Sequence, residues 1–146
     1  MAKQFSVKAD PNFSKRIEDK LEKMAEEKIE NLLLNMASDA TRWSPIYSGA
    51  YVQSFSFQSN TSTRGRRRQS RKEGGGSEAD RQQGFSNLVG DVNKILNTTS
   101  IVDLKTITLR NDAPHAQLVE RGAQNMKGPG PNNSWPVFAK LRDKYR

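Results

Sequence analysis

The feature that most constrains the fold is a series of apolar residues spaced at helical intervals over the first third of the chain. The series begins at Phe13 and ends at Trp43. Between them, steps of three to five residues connect Ile17, Leu21, Met24, Ile29, Leu32, Leu33, Met36 and Ala40. This spacing predicts one apolar stripe on a helix of about thirty residues, with mostly charged side chains on the opposite face.

At ~1.5 Å per residue such a helix is roughly 45 Å long, longer than a domain of this size needs for its own core. We expect either that part of the stripe binds another chain or that one end of the helix projects into solvent. Asp10 and Pro11 are suited to the helix start, and Pro45 ends it because proline lacks a backbone donor. Gly49 allows a tight reversal, after which residues 51–59 alternate and predict a strand with Tyr51, Gln53, Phe55 and Phe57 on one face.

The remaining pattern is a polar loop over 60–77, a helix over 77–96, one or two short strands within 101–110, a short helix closed by Gly122, and a final helix over 136–145. The helix over 77–96 is expected to bury Phe85, Leu88, Val89, Val92, Ile95 and Leu96. The sequence therefore predicts one α+β domain over residues 1–146. In it, the long amphipathic N-terminal helix packs on a small, mainly antiparallel sheet, with a helical insertion, a short helix and a C-terminal helix.

The amino-acid composition limits the classes of protein to which this chain can belong. Only 34% of the 146 residues are hydrophobic and the mean hydropathy is −0.84, so we expect a thin core that contacts between subunits help to stabilise. Cysteine is absent, which excludes disulfides and thiolate chemistry. No apolar run approaches the ~20 residues that span a bilayer, and the N-terminal residues lack a secretory signal. We expect a chain that is made and used in cytoplasm.

The net charge of +8 comes mostly from one loop. Six cations fall within nine residues that contain no acid: Arg64, Arg66, Arg67, Arg68, Arg71 and Lys72. Outside this basic run, 18 basic residues are nearly balanced by 16 acidic ones. Three interpretations remain open: the run contacts nucleic-acid phosphates without sequence preference, it contacts an acidic protein surface, or it is a solvated, flexible part of the loop over 60–77.

Motifs for catalysis are weak. Residues 84–88 begin like a nucleophile elbow at Ser86, but Leu88 occupies the position where the motif needs glycine. The single histidine, His115, is the one candidate base, and one His without Cys cannot form a closed zinc site. No phosphate-binding glycine loop is present. We predict no catalytic, cofactor-binding or metal-binding residues, and a hydrolase using Ser86 and His115 is the enzymatic alternative.

Two short segments carry a family resemblance. The first is Ser44-Pro45-Ile46-Tyr47-Ser48-Gly49-Ala50, followed by Ser54, and the second is His115-Ala116-Gln117-Leu118-Val119-Glu120-Arg121-Gly122. Together with the order of the predicted helices and strands, these two segments resemble the tail-completion (head–tail connector, minor capsid) proteins of tailed bacteriophages. That family typically shows Ser/Thr-Pro-x-x-Thr-Gly, then Tyr-Ala, two residues, Val-Glu, an aromatic and Gly. The usual Asp of the first turn is missing here, and His115 and Arg121 replace aromatics.

The resemblance implies a non-enzymatic protein of the virion, located at the neck or tail end and assembled in the host cytoplasm. Such proteins form a ring, often a hexamer, around the DNA channel and link connector or stopper proteins to tail-tube or tail-terminator proteins. Pro45, Gly49 and Gly122 are then turn residues, Glu120 makes a polar contact, and the basic run touches DNA or an acidic neighbour. The alternative function is a small nucleic-acid-binding module, without sequence preference, that acts through the arginine-rich loop.

Overall fold

The computed structural model describes residues 12–47, 49–61, 67, 75–124 and 126–146. Its elements are α1 (Phe13–Trp43), α2 (Ala50–Gln53), β1 (Phe55–Ser59), α3 (Glu78–Thr98), β2 (Ile107–Asn111), α4 (Ala116–Arg121), a 3-10 turn (Pro131–Asn133) and α5 (Val137–Lys144). This order confirms the predicted α+β class, with a long N-terminal helix, an inserted helix, a short helix and a C-terminal helix. The predicted helix start at Asp10 and Pro11 lies outside the described residues.

The sheet of the described residues has two antiparallel strands, β1 and β2. The register pairs Phe55 with Asn111 and Ser59 with Ile107. Hydrogen bonds extend the ladder at both ends, because the amide of Asp112 donates to the carbonyl of Ser54 and that of Asn60 to the carbonyl of Thr106, each over 3.2 Å. The antiparallel arrangement agrees with the prediction.

The predicted strand start at Tyr51 is wrong, because residues 50–53 form α2. Gly49 has φ 73°, and its carbonyl accepts a hydrogen bond from the amide of Gln53 over 3.1 Å, which closes a helical turn. The hydroxyl of Ser54 then donates to the carbonyl of Ala50 over 2.6 Å. The apparent alternation that begins at Tyr51 therefore combined one helical turn with the first residues of β1.

The core lies between the C-terminal half of α1, α3, the sheet and α5. It comprises Leu33, Ala37, Ala40, Tyr51, Phe55, Phe57, Leu88, Val92, Ile95, Ala113, Val119, Val137 and Leu141. On α3, a capping box joins Ser77 and Asp80, and Leu88, Val92 and Ile95 are buried as predicted. Phe85 was expected in the core but is 37% exposed, because it lines an open pocket between α1 and α3 beside Ser38 and Thr41.

The single apolar stripe predicted for α1 is in fact two stripes on different sides of the helix. Leu33, Ala37 and Ala40 are buried against the rest of the domain. The large apolar residues nearer the N-terminus are exposed: Phe13 by 58%, Ile17 by 43%, Leu21 by 59% and Met24 by 51%. At ~100° per residue the centres of the two stripes are separated by roughly 170° around the axis. The N-terminal stripe therefore cannot continue the core of its own domain.

Asp39 joins α1 to the C-terminal end of α5. Its buried carboxylate accepts hydrogen bonds from Lys144 Nζ at 2.5 Å, Tyr145 Oη at 2.6 Å and Arg42 Nη2 at 2.9 Å. Burial by itself would raise the pKa of Asp39, but the hydrogen bonds from Lys144 and Tyr145 and the nearby positive charges outweigh it. The pKa of Asp39 therefore lies below its usual value, and the carboxylate is charged at neutral pH.

Two glycines of α3 provide a matched test of packing. A Cβ on Gly84 would lie 2.3 Å from the carbonyl oxygen of Val52, whereas a Cβ on Gly90 would meet nothing within 4 Å. We expect Gly84→Ala to lower the free energy of unfolding by about 1–3 kcal/mol, because α3 and α2 must move apart. Gly90→Ala should raise it by about 0.5–1 kcal/mol through helix propensity. Urea unfolding of both variants measures the difference, and equal effects would contradict the close approach of α3 to α2.

Candidate functional site

Arg67 is the residue of the basic run that the structure describes, and it has a partner inside its own chain. Its guanidinium forms two hydrogen bonds to the carboxylate of Asp91, with Nη1–Oδ2 at 2.9 Å and Nη2–Oδ1 at 2.8 Å. The side chains are only 9% and 1% exposed, respectively. Arg67 was predicted to contact DNA or an acidic partner protein, but this geometry directs it to an acidic residue of the fold. The other five cations of the basic run lie outside the described residues.

The Arg67–Asp91 pair also closes one edge of the sheet. Ser54 and Asn60 bond to the β2 side, so the alternation of an antiparallel ladder directs the backbone of Phe55 and Phe57 to the other edge. There, Arg67 Nη1 donates to the carbonyl of Phe55 over 2.8 Å, and the amide of Phe57 donates to Asp91 Oδ2 over 3.0 Å. The ion pair therefore occupies the positions at which another strand would add to β1.

Removing Arg67 tests this contribution. Arg67→Met should lower the free energy of unfolding by about 3–5 kcal/mol, because the Asp91 carboxylate would remain buried without its counter-ion. The control is Arg146→Met, since Arg146 is 84% exposed and 3.8 Å from Asp143. This control should change stability by less than about 0.5 kcal/mol. Equal stability of the two variants by urea unfolding would show that Arg67 has no structural role.

Glu120, predicted to make a polar contact, joins three parts of the chain. Its Oε1 accepts a hydrogen bond from Tyr51 Oη at 3.1 Å and another from the amide of Phe138 at 2.9 Å. Phe138 is the second residue of α5, so the carboxylate satisfies one of the unpaired amides at the start of that helix. Pro136, which precedes α5, has no side-chain oxygen for this purpose. The second sequence motif, the residue that follows the first motif, and the C-terminal helix therefore meet at one carboxylate.

Aromatic rings surround this contact. The Tyr51 ring lies edge-on to the Phe55 ring, with ring centroids 5.3 Å apart. The centroid of the His115 ring is 6.4 Å from that of the Tyr51 ring. Phe55 in turn packs against Phe138 at 5.8 Å. Burial, followed by the charge and hydrogen bond of Glu120, raises the pKa of Tyr51 well above its usual value. The Tyr51 hydroxyl therefore stays protonated and donates its hydrogen bond to Glu120.

The predicted turn residues lie at the ends of helices around this junction. Ser44 leaves α1 with extended geometry (ψ 146°) directly before Pro45. Gly122 has φ 88°, and a Cβ there would lie 2.1 Å from the carbonyl oxygen of Asn132. Ser48, part of the first motif, lies outside the described residues.

Truncating Glu120 tests the junction. Glu120→Ala should lower the free energy of unfolding by about 2–4 kcal/mol, because the buried hydroxyl of Tyr51 and the amide of Phe138 would lose their acceptor. Glu120→Gln retains an acceptor oxygen at the same position and should lose less than half as much. Chemical unfolding monitored by circular dichroism would compare the two. Similar losses would indicate that the charge, and not the acceptor, matters.

Ser86 and His115, the residues of the hydrolase alternative, have different surroundings. Ser86 is exposed within α3, and His115 precedes α4 beside Tyr51. Among the described residues, no three or more His, Asp or Glu side chains are grouped so as to hold a metal ion. In the same part of the chain, no helix combines the length and apolar character needed to cross a membrane.

Comparisons with protein-family models, with curated proteins and with solved structures found no match to this chain. The exposed stripe of α1 and the basic run are therefore interpreted from the chemistry of their own residues.

Proposed function

We propose that this chain is a structural protein of a tailed-phage virion that completes the junction between head and tail. In this proposal, identical subunits form a ring around the DNA channel at the neck or tail end, between connector or stopper proteins and the tail tube or its terminator. The support from sequence is the order of elements and the two motifs, residues 44–50 and 115–122. The protein is assembled in the host cytoplasm and acts within the particle.

The observation that carries the proposal is the exposed apolar stripe on the N-terminal half of α1. Four large side chains (Phe13, Ile17, Leu21 and Met24) are each more than 40% exposed along about three turns of helix. Each Å² of apolar surface removed from water contributes about 25 cal/mol, so an uncovered stripe is costly and favours association. A building block whose apolar surface is completed by neighbouring chains would have this arrangement.

The use of the motif residues also supports a structural role. Glu120 and Tyr51 bind each other and the start of α5, and Gly49 and Gly122 adopt positive φ at turns. These residues hold elements in fixed relative positions and do not converge on a cleft. A subunit of a particle needs a rigid frame of this kind because its surfaces must match several neighbours at once.

In the proposal, the basic run is the second surface that contacts another component of the particle. Because Arg67 binds Asp91, we assign the proposed outside contact to the other five cations of the basic run, which lie outside the described residues: Arg64, Arg66, Arg68, Arg71 and Lys72. In a ring around the DNA channel they would face phosphates of the genome or acids of an adjoining subunit. If all five contact phosphates, the logarithm of the DNA affinity should fall with the logarithm of salt with a slope of about −4.5.

Deletion of the gene from a phage that encodes the chain tests the proposed function. We expect DNA-filled heads and separate tails by electron microscopy, together with loss of infectivity. Wild-type protein supplied in trans should restore joined particles. The double variant Ile17→Glu/Leu21→Glu should not restore joined particles, because charges on the exposed stripe oppose its burial in the assembly. The control is the double variant Glu18→Lys/Glu22→Lys, which changes the charge on other sides of α1 and should restore joined particles.

Two outcomes would contradict the proposal. One is a normal yield of joined, infectious particles without the protein, and the other is a map of the intact particle in which the protein is absent from the junction. The alternative, a nucleic-acid-binding module, predicts nanomolar affinity of the isolated monomer for duplex DNA at physiological salt. Fluorescence anisotropy over a salt series would detect that affinity.

A further inference from the structure

We infer that two free copies of this chain pair through residues 13–32 of α1, as an antiparallel two-helix contact related by a two-fold axis near residues 22 and 23. The surface involved, called here the α1 seam, consists of the exposed apolar residues of α1. These are Phe13, Ile17, Leu21, Met24 and Leu32, each between 43% and 59% exposed. The inference concerns the free protein and does not depend on the proposed function.

The α1 seam faces one direction. At ~100° per residue, its five residues and Lys28 fall within an arc of about 100°, the width of the apolar stripe of an amphipathic helix. Leu33, Ala37 and Ala40 lie on the side that the domain core covers. The α1 seam is thus accessible while α1 remains packed in its own domain.

The spacing of the α1 seam fits an antiparallel copy of itself. With the two-fold axis between residues 22 and 23, Leu21 of one copy lies opposite Met24 of the other, and Phe13 lies opposite Leu32. The remaining layer places Ile17 opposite Lys28, whose methylene stem covers the isoleucine while its ammonium group reaches solvent. Every exposed apolar side chain of α1 is then paired.

The charged residues beside the α1 seam also favour the antiparallel orientation of the two helices. On one flank, Lys20 precedes the two-fold axis and Glu27 follows it. Antiparallel pairing brings the same flank of each helix together, so Lys20 of one copy meets Glu27 of the other. In a parallel pair this flank would face the other one, where Ala25 lies opposite Lys20 and no such ion pair forms.

The apolar spacing and the flanking charges therefore indicate that a second copy of this chain binds the α1 seam. A two-fold contact uses the same surface on both chains and closes on itself, which yields a dimer and does not continue around a ring. In the free protein, the contact covers apolar surface that would otherwise be exposed to water. The pair would separate when another chain takes over the α1 seam.

Charge exchange tests both the pairing and its direction. We expect sedimentation equilibrium of the wild type to show a monomer–dimer equilibrium between micromolar and millimolar concentration. Lys20→Glu and Glu27→Lys should each weaken self-association on the order of tenfold, since each dimer then contains two like-charge pairs. An equimolar mixture of the two variants should form a heterodimer with wild-type affinity, which native mass spectrometry would resolve.

Controls separate this result from misfolding and from general charge effects. Glu22→Lys changes an exposed residue on another side of α1 and should leave the dimer unchanged. Leu21→Glu should abolish the dimer yet retain the helical circular dichroism, because Leu21 is exposed in the monomer. A wild type that is monomeric at all concentrations would overturn the inference. So would a dimer insensitive to Leu21→Glu, or a mixture of charge variants that forms no heterodimer.

Discussion

The constraint on which the rest of this structure depends is that α1 has two apolar stripes and the chain covers only one of them. A helix of 31 residues cannot be enclosed by a domain of this size, so its C-terminal half supplies the core and its N-terminal half extends beyond it. Because the exposed stripe is on a different side from the buried one, no bend or extension of the core would cover it. The exposed stripe is therefore the surface through which we propose that the protein associates with other chains.

Three carboxylates hold the thin core together. Asp91 binds Arg67 and the outer edge of β1, Glu120 binds Tyr51 and the start of α5, and Asp39 binds the end of α5. Each of them satisfies backbone or side-chain donors that belong to another element. In a chain with 34% hydrophobic residues, such polar contacts fix the relative positions of elements where apolar burial alone is limited.

The closed edge of β1 affects how subunits can associate. A small sheet with open edges would invite strand addition from a neighbouring copy, but Arg67 and Asp91 already bind the carbonyl of Phe55 and the amide of Phe57. Contacts through helix surfaces are consequently favoured over sheet extension at this edge. This agrees with an association that begins at α1, whether in the free protein or in a larger particle.

The sequence by itself determined the two long helices, α1 and α3, because their apolar periodicity, Pro45 and the capping residues Ser77 and Asp80 act locally. It also identified Gly49, Glu120 and Gly122 as special positions. Tertiary structure alone decided that residues 50–53 form a helical turn, that Glu120 binds Tyr51 and Phe138, and that Arg67 leaves the basic run to pair with Asp91. The Glu120 and Arg67 contacts depend on partners 18 to 69 residues away in sequence, which local patterns do not encode. The division of the α1 stripe was present in the spacing, but only the packed domain showed which side of the helix it buries.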